Sequence, residues 1–355
     1  MSKITRMRSQ EFYGGLTLEE RLVECRTPAI SIALIEDYAI SEVYTWGLRS
    51  RRGRSAVTPC SMFQAGSISK PVFATAVVRL AQQGKLDLDE DVANYLQGYT
   101  LPTFDALPRK ITLRLLLSHH AGLNLHGFAG YQQDQTIPEL VDILRGLPPA
   151  NNLPLKLIME PATKWQYSGG GYLLAQKAVA DALQLDYHTM LQEQVFQPFG
   201  MVHSSYEQLY ERQEEQEIVF GYNSYDRQLL DGYNIMPELS AAGLWTTPTD
   251  LANFGITIMK SLKGEANPLS LASAQTLTTA VFDFSSYAVG FRVGTSVMGP
   301  IFGHGGSNHG YKANAVFCPA NGSGFTMMIN TDIGSILLGE FERAFTTVMG
   351  WNIAE

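Results

Sequence analysis

Strand signals sit at both ends of this 355-residue chain, and helix signals fill the space between them. Near the N-terminal end, residues 29–35 form the apolar run Ala-Ile-Ser-Ile-Ala-Leu-Ile. Asp37-Tyr38 can turn that run into residues 40–46, which alternate as a strand should. Near the C-terminal end, residues 313–318 and 324–329 flank Pro319-Ala320-Asn321-Gly322. Asn-Gly between two apolar runs is a strong hairpin signal. Residues 287–293 read as one more strand. Residues 336–348 read as a closing amphipathic helix, with Leu337, Phe341, Ala344, Phe345 and Val348 on one face. The expected class is therefore α+β: an antiparallel sheet built from both chain ends, flanked by helices, with a mostly helical region inserted. The expected division is a sheet domain of residues 1–66 and 240–355 and a helical domain of residues 67–239. A cleft belongs at their junction.

The middle of the chain has helical periodicity. Val72, Phe73, Ala76, Val77, Leu80 and Ala81 recur at helical spacing, and Gly84 sits where a glycine ends a helix. Pro71 is tolerated only in a first turn, so this helix starts within a few residues of Ser67. Further helices are expected at 113–117, 138–145, 172–183, 187–196 and 248–260. The last has Thr247 to cap it, Pro248 at its first position and Asp250 in its first turn. The acid-rich stretch 207–217 reads as a solvated helix or loop.

Composition narrows the class. Hydrophobic residues make up 45% and charged residues 17%, which fits a globular chain and excludes wholesale disorder. A formal net charge of −8 argues against nucleic acid as a partner. The one basic cluster, Arg49-Ser50-Arg51-Arg52-Gly53-Arg54, reads as a solvated loop. No apolar run approaches the ~18 residues of a membrane span. The first sixteen residues carry Lys3, Arg6 and Arg8 but no apolar core behind them, so a cytoplasmic location is expected as written. A leader removed beforehand would make it periplasmic or secreted. Cys25, Cys60 and Cys318 are odd in number and lack Cys-x-x-Cys spacing, which suits buried free thiols.

Three stretches carry chemistry. Ser67-Ile68-Ser69-Lys70 places a hydroxyl and an amine on one helix face. A serine is a poor nucleophile until a neighbour takes its proton, and a partly buried lysine can do so. About one such match arises by chance in a chain like this, so context must support it. Lys164-Trp165-Gln166-Tyr167-Ser168-Gly169-Gly170-Gly171-Tyr172 holds a tyrosine beside three glycines, just before a helix. A phenol near a lysine ammonium can act as base or acid. Phe302-Gly303-His304-Gly305-Gly306-Ser307-Asn308-His309-Gly310-Tyr311 has glycines in or beside a strand, which suggests close approach by a ligand. His304 adds a titratable donor there. His304 and His309 have no acidic neighbour to complete a metal site, so neither metal nor cofactor is expected.

In this order the three stretches resemble the serine β-lactamase-like family: class C β-lactamases, DD-peptidases (penicillin-binding proteins) and related esterases. The family shows Ser-x-x-Lys at a helix start, Tyr-x-Asn before a helix, and Lys-Thr-Gly or His-x-Gly on a strand. The supporting blocks are similar too: Phe63-Gln64-Ala65-Gly66, Leu115 to Leu123, Pro198-Phe199-Gly200-Met201, and Ala242 to Leu251. The resemblance spans about residues 20 to 350. It implies a β-lactamase/transpeptidase-like fold and acyl transfer through a covalent acyl-enzyme on Ser67. Lys70 and Tyr167 would handle protons, and which of them takes the serine proton stays open. The oxyanion hole would use the backbone N–H groups of Ser67 and Ser307. His304, Gly305, Gly306 and Gly169 would line the substrate site.

Two departures from the family pattern bear on substrate. Gly169 stands where the β-lactamases and peptidases carry an Asn that helps hold the lysine and the substrate amide. His304 stands where a permanent cation often helps bind a substrate carboxylate, and a histidine is mostly neutral at pH 7. Both favour a relaxed esterase or amidase acting on small esters or amides. The alternatives are a DD-peptidase (D-Ala-D-Ala carboxypeptidase), a weak class C-like β-lactamase acting on β-lactam substrates, an acyltransferase, and a non-catalytic binding protein on the same fold. Oligomeric state is open. His119 and His120 read as groups that cap a helix end or meet a carbonyl. His126, His188 and His203 have no constellation around them. Trp165, Tyr172 and Tyr311 read equally as core or substrate wall. Ser168 lacks the Gly-x-Ser-x-Gly elbow of another hydrolase class.

Overall fold

The computed structural model describes residues 2–103, 105, 109–208, 217–265 and 268–351. Most of the acid-rich stretch, at 209–216, lies outside the described residues. The strands are β1 (Ala29–Glu36), β2 (Ala39–Gly47), β3 (Phe63–Gln64), β4 (Trp245–Thr246), β5 (Arg292–Ser296), β6 (Gly299–Asn308), β7 (Tyr311–Cys318) and β8 (Ser323–Ile329). Six of them form one antiparallel sheet in the order β2-β1-β8-β7-β6-β5, and β3 pairs with β4 alone. The N-terminal hairpin thus lies beside the C-terminal one, with Ile30 opposite Ile329 and Leu34 opposite Phe325. The fold is α+β, as the end-to-end strand pattern predicts.

Both hairpin turns form where expected. Asp37 and Tyr38 take φ of 49° and 60°, the paired left-handed conformation of a two-residue turn that matches strand twist. The Tyr38 hydroxyl donates to the Pro319 carbonyl at 2.5 Å, which ties the two hairpin tips together.

β1 does not alternate because it is buried on both faces. Ile30, Ile32 and Leu34 join Phe325, Phe341, Phe345 and Trp351 in one apolar cluster under the terminal helices. Ala29, Ala33 and Ile35 join a larger cluster shared with the central helices, which includes Phe73, Phe254 and Phe317. The helix Ser335–Met349 turns Leu337, Phe341, Ala344 and Phe345 inward, matching its expected face. β2 at the sheet edge has no fully buried residue, and its alternation is correspondingly visible in sequence.

The central helices are Ser69–Gln82, Leu113–Leu117, Leu140–Arg145, Gly169–Leu183, Tyr187–Leu191 and Pro248–Leu262. Tyr187–Leu191 continues through a wider π-type turn over Gln192–Phe196. Short helices at Lys3–Met7, Leu18–Glu24, Leu239–Ala242 and Leu271–Thr278 are not among the sequence expectations. One expectation is corrected. Residues 287–291 are a turn rather than a strand: the Ala288 N–H donates to the Phe291 carbonyl at 2.8 Å, and β5 begins only at Arg292. Gly290 takes φ +94° there, against Ala74 and Pro71, a conformation that suits glycine. The apolar residues in this stretch are buried by packing, which mimics a strand signal. All three cysteines are free thiols; Cys25 and Cys318 are buried and Cys60 is half-buried.

Candidate active site

Residues Gly66–Ile68 form a single tight turn that runs directly into the Ser69–Gln82 helix. The Ser69 hydroxyl fastens the turn, donating to the Gly66 carbonyl at 2.6 Å and accepting the Leu244 N–H at 2.9 Å. Ser67 stays half-buried while Lys70 is only 2% exposed. Lys70 Nζ donates to Ser67 Oγ at 3.0 Å and to the Ala241 carbonyl at 2.7 Å. The helical spacing read from sequence therefore brings the hydroxyl and amine into direct contact.

Two glycines bring the opposite wall close. A Cβ on Gly306 would lie 1.9 Å from the Ala65 carbonyl oxygen. A Cβ on Gly66, which has φ +52°, would lie 2.6 Å from the Ser307 nitrogen. Only two facing glycines let the Ser67 turn rest against β6 in this way. β5 pairs with residues 299–303 of β6 and stops there, so the edge from His304 onward passes beyond it. Asn308 closes the end of this contact, donating to Gln64 Oε1 at 2.8 Å and to the Ala242 carbonyl at 3.0 Å.

Tyr167 completes the cluster from a third direction. Its ring centre is 5.0 Å from Lys70 Nζ. It lies 4.1 Å from the His119 ring, 4.8 Å from His126 and 6.4 Å from His304, centre to centre. Ser168 caps the next helix by accepting the Gly171 N–H at 3.0 Å, which fixes the chain just after Tyr167.

His304 is buried, and both ring nitrogens are engaged inside the protein. Nδ1 faces the Gly305 carbonyl at 2.5 Å and Nε2 faces the Tyr287 hydroxyl at 2.9 Å. A carbonyl can only accept, so Nδ1 carries the proton and Nε2 accepts from Tyr287. Burial, with the nearby Lys70 charge, pushes the imidazole pKa down to about 3. His304 is thus a neutral group here and supplies no cation to the cleft.

A cleft of about 840 Å³ shares His304 and Gly305 with the cluster and is walled by Trp165 and Tyr287, while Ser67, Lys70 and Tyr167 lie outside its lining. Phe284 and Arg292 line it further out. Phe284 is exposed and rests on Phe282, with ring centres 5.0 Å apart.

A family profile described as Beta-lactamase matches residues 17–337. The chain belongs to the beta-lactamase family. Its similarity to individual members is distant. It is 24% identical over 326 residues to a putative D-alanyl-D-alanine carboxypeptidase of Escherichia coli (strain K12), covering 79% of this chain and 72% of that one. It is 25% identical over 215 residues to the putative penicillin-binding protein PbpX of Bacillus subtilis (strain 168). That match covers 59% of this chain and 49% of the Bacillus protein, so the alignment spans about half the relative's length. Among solved structures, the octameric penicillin-binding protein homologue from Pyrococcus abyssi superposes with a TM-score of 0.76 at 20% identity, over 94% of this chain and 76% of the other. A D-amino acid amidase from Ochrobactrum anthropi SV3, complexed with L-phenylalanine amide, gives 0.72 at 20% identity, over 98% and 97%.

Within this beta-lactamase-family chain, the fold gathers Ser67, Lys70, Tyr167, His304, Gly305, Gly306 and Ser307 into one cluster. Gly169 follows Tyr167 by two residues. It is buried at the first position of its helix, and its N–H donates to the His126 carbonyl at 3.1 Å. A Cβ there would lie 3.0 Å from the Phe128 ring, so the loop around Phe128 fills the space an asparagine side chain would need.

The structure also adds members the sequence reading does not single out. Tyr287 is bonded to His304 and forms part of the cleft wall. His119 closes the Leu113–Leu117 helix through its backbone, as the sequence suggests, while its ring Nδ1 accepts the Ser168 N–H at 3.1 Å. His126 does have neighbours, since its ring faces Tyr167. Tyr172 and Tyr311 are core, whereas Trp165 is 42% exposed at the cleft. No spacing rule links these residues, because His119 and His126 come from the connection after Leu113–Leu117 while Trp165 and Tyr287 come from two other loops.

Proposed function

We propose that this protein is a serine hydrolase that works through a covalent acyl-enzyme on Ser67, acting on small esters or amides. The contact between Lys70 Nζ and Ser67 Oγ, made by a buried lysine, carries this reading. Ser67 Oγ attacks the substrate carbonyl carbon and its proton passes to the Lys70–Tyr167 pair. The oxyanion that forms is met by the N–H groups of Ser67 and Ser307, each such donor being worth about 3 kcal/mol in related chemistry. Collapse breaks the bond to the alcohol or amine, which leaves with the proton. Water then attacks the acyl-serine ester and Ser67 regains its proton by the reverse route.

The neutral, internally bonded His304 supports the substrate class. It offers no positive charge to a substrate carboxylate, while Trp165, Phe284 and Tyr287 line the adjoining cleft with aromatic surface. Apolar or aromatic groups suit that wall. A second reading, a DD-peptidase or weak β-lactamase, is favoured by Arg292, an exposed guanidinium lining the same cleft. Hydrolysis rates for a panel of p-nitrophenyl esters, D-amino amides and β-lactams, with Ser67→Ala as control, separate the readings. Brisk ester turnover without labelling by a fluorescent penicillin supports the esterase. Penicillin labelling that disappears in Ser67→Ala supports the peptidase or lactamase. Turnover unaffected by Ser67→Ala overturns both.

A further inference from the structure

Tyr167 is gripped from three sides by one residue. His119 accepts the Gln166 N–H on its carbonyl at 2.9 Å and the Ser168 N–H on Nδ1 at 3.1 Å. Its ring lies against the Tyr167 ring at 4.1 Å with a 31° tilt. The amides on both sides of Tyr167 and the phenol itself are therefore held by His119. His119 takes φ +63° as the left-handed residue that ends the Leu113–Leu117 helix, with its N–H donating to the Leu116 carbonyl at 3.3 Å and that of His120 to the Leu115 carbonyl at 2.8 Å.

The ring is wholly buried, and accepting an N–H at Nδ1 leaves its proton on Nε2. That Nε2 atom has no hydrogen-bond partner among the described residues. Its neighbours are the rings of Tyr167, Tyr172, Tyr287 and Trp165, with the charge of Lys70 and the imidazoles of His304 and His120 within electrostatic reach. A buried, unspent donor in a polar cluster calls for an explanation. Burial and the Lys70 charge hold the ring neutral. Protonation of Nδ1 would expel the Ser168 amide and add a second cation beside Lys70.

We propose that His119 is a positioning residue for Tyr167, and that it works only as the neutral Nε2–H tautomer. It holds the phenol beside Lys70 without touching substrate. The inference rests on the acyl-enzyme reading for its kinetic part, but the clamp itself is a property of the folded protein.

The test combines kinetics with a substrate-free probe. On a p-nitrophenyl ester, His119→Ala is expected to lower kcat roughly 100-fold with KM nearly unchanged, the scale of a displaced catalytic group. His119→Gln can present an acceptor to the Ser168 N–H and is expected to recover most of that loss. In a Tyr167→Phe background, His119→Ala is expected to cost little more, because both changes remove one function. A fluorotyrosine at position 167 reports the clamp directly by fluorine NMR. One sharp line is expected in the parent and in His119→Gln, and a broadened or split line in His119→Ala. An unchanged line in His119→Ala, or losses that multiply with Tyr167→Phe, overturns the proposal. Full activity in Ser67→Ala would instead sink the acyl-enzyme reading, leaving the fluorine line to decide the clamp.

Discussion

Glu238 is the residue whose surroundings suit its charge least. It is fully buried, neither carboxyl oxygen makes a well-formed hydrogen bond, and the Tyr131 phenol lies within electrostatic reach. Burial raises its pKa from 4.5 to about 8. A folded-state pKa above the unfolded value contributes stability that is complete below the unfolded pKa and is lost as pH rises through the folded one. Glu238→Gln cannot ionise. Its melting temperature is therefore expected to gain on that of the parent as pH rises from about 5 to 8, by several degrees, and to hold that gain above it. Calorimetry across that range checks it, and parallel curves would refute the effect. The same scale governs the contact between Gly306 and the Ser67 turn. Gly306→Ala would drive a methyl into the Ala65 carbonyl and part β6 from the Ser67 turn. Ester kcat is expected to fall about 100-fold or more, with a larger effect on kcat than on KM, as steady-state kinetics would show.

Among the elements, those with period or punctuation are the ones sequence delivers. Thr247 accepts the Asp250 N–H at 3.1 Å and Pro248 opens the helix, as read from the chain. Removing that cap in Thr247→Ala is expected to cost about 1 kcal/mol, measurable by urea unfolding. The closing helix and both hairpins were legible for the same reason: apolar period and turn residues act locally. β6 is the opposite case. Its Gly-Pro-Ile-Phe-Gly-His-Gly-Gly-Ser-Asn sequence has no alternation and poor strand propensity. It is a strand because β7 pairs along it from Phe302 to Asn308, and its glycines admit the Ser67 turn. The 287–291 turn errs in the other direction, since buried apolar residues there need no sheet.

For the whole molecule, the sheet is a layer between two cores. The outer one, with Phe325, Phe341, Phe345 and Trp351, joins the two chain ends and is separate from the cluster that holds Ala65 and Ile68 beside Ser67. Phe341 is fully buried there, with its ring 5.5 Å from Phe325. Phe341→Ala is expected to lower stability by about 3–5 kcal/mol. Ester turnover per folded molecule should stay within about twofold, because distant sites act independently. Denaturant melts paired with active-site titration separate the two quantities, and a large loss of turnover in fully folded protein would contradict this layering. The described residues also include no helix long and apolar enough to cross a membrane.

The sequence by itself determined the hairpins, the main helices and the contact between Ser67 and Lys70. These depend on neighbours a few residues apart, whose geometry the backbone period dictates. Only the tertiary structure decided that Gly66 meets Ser307, that Tyr287 rather than substrate occupies His304, and that His119 grips the chain around Tyr167. Those contacts join residues 17 to 241 positions apart in the chain. No local rule encodes such pairings, because they arise when separate loops are packed against one sheet edge. The sequence thus specified the Ser67–Lys70 contact, and the packing specified the surroundings of that pair.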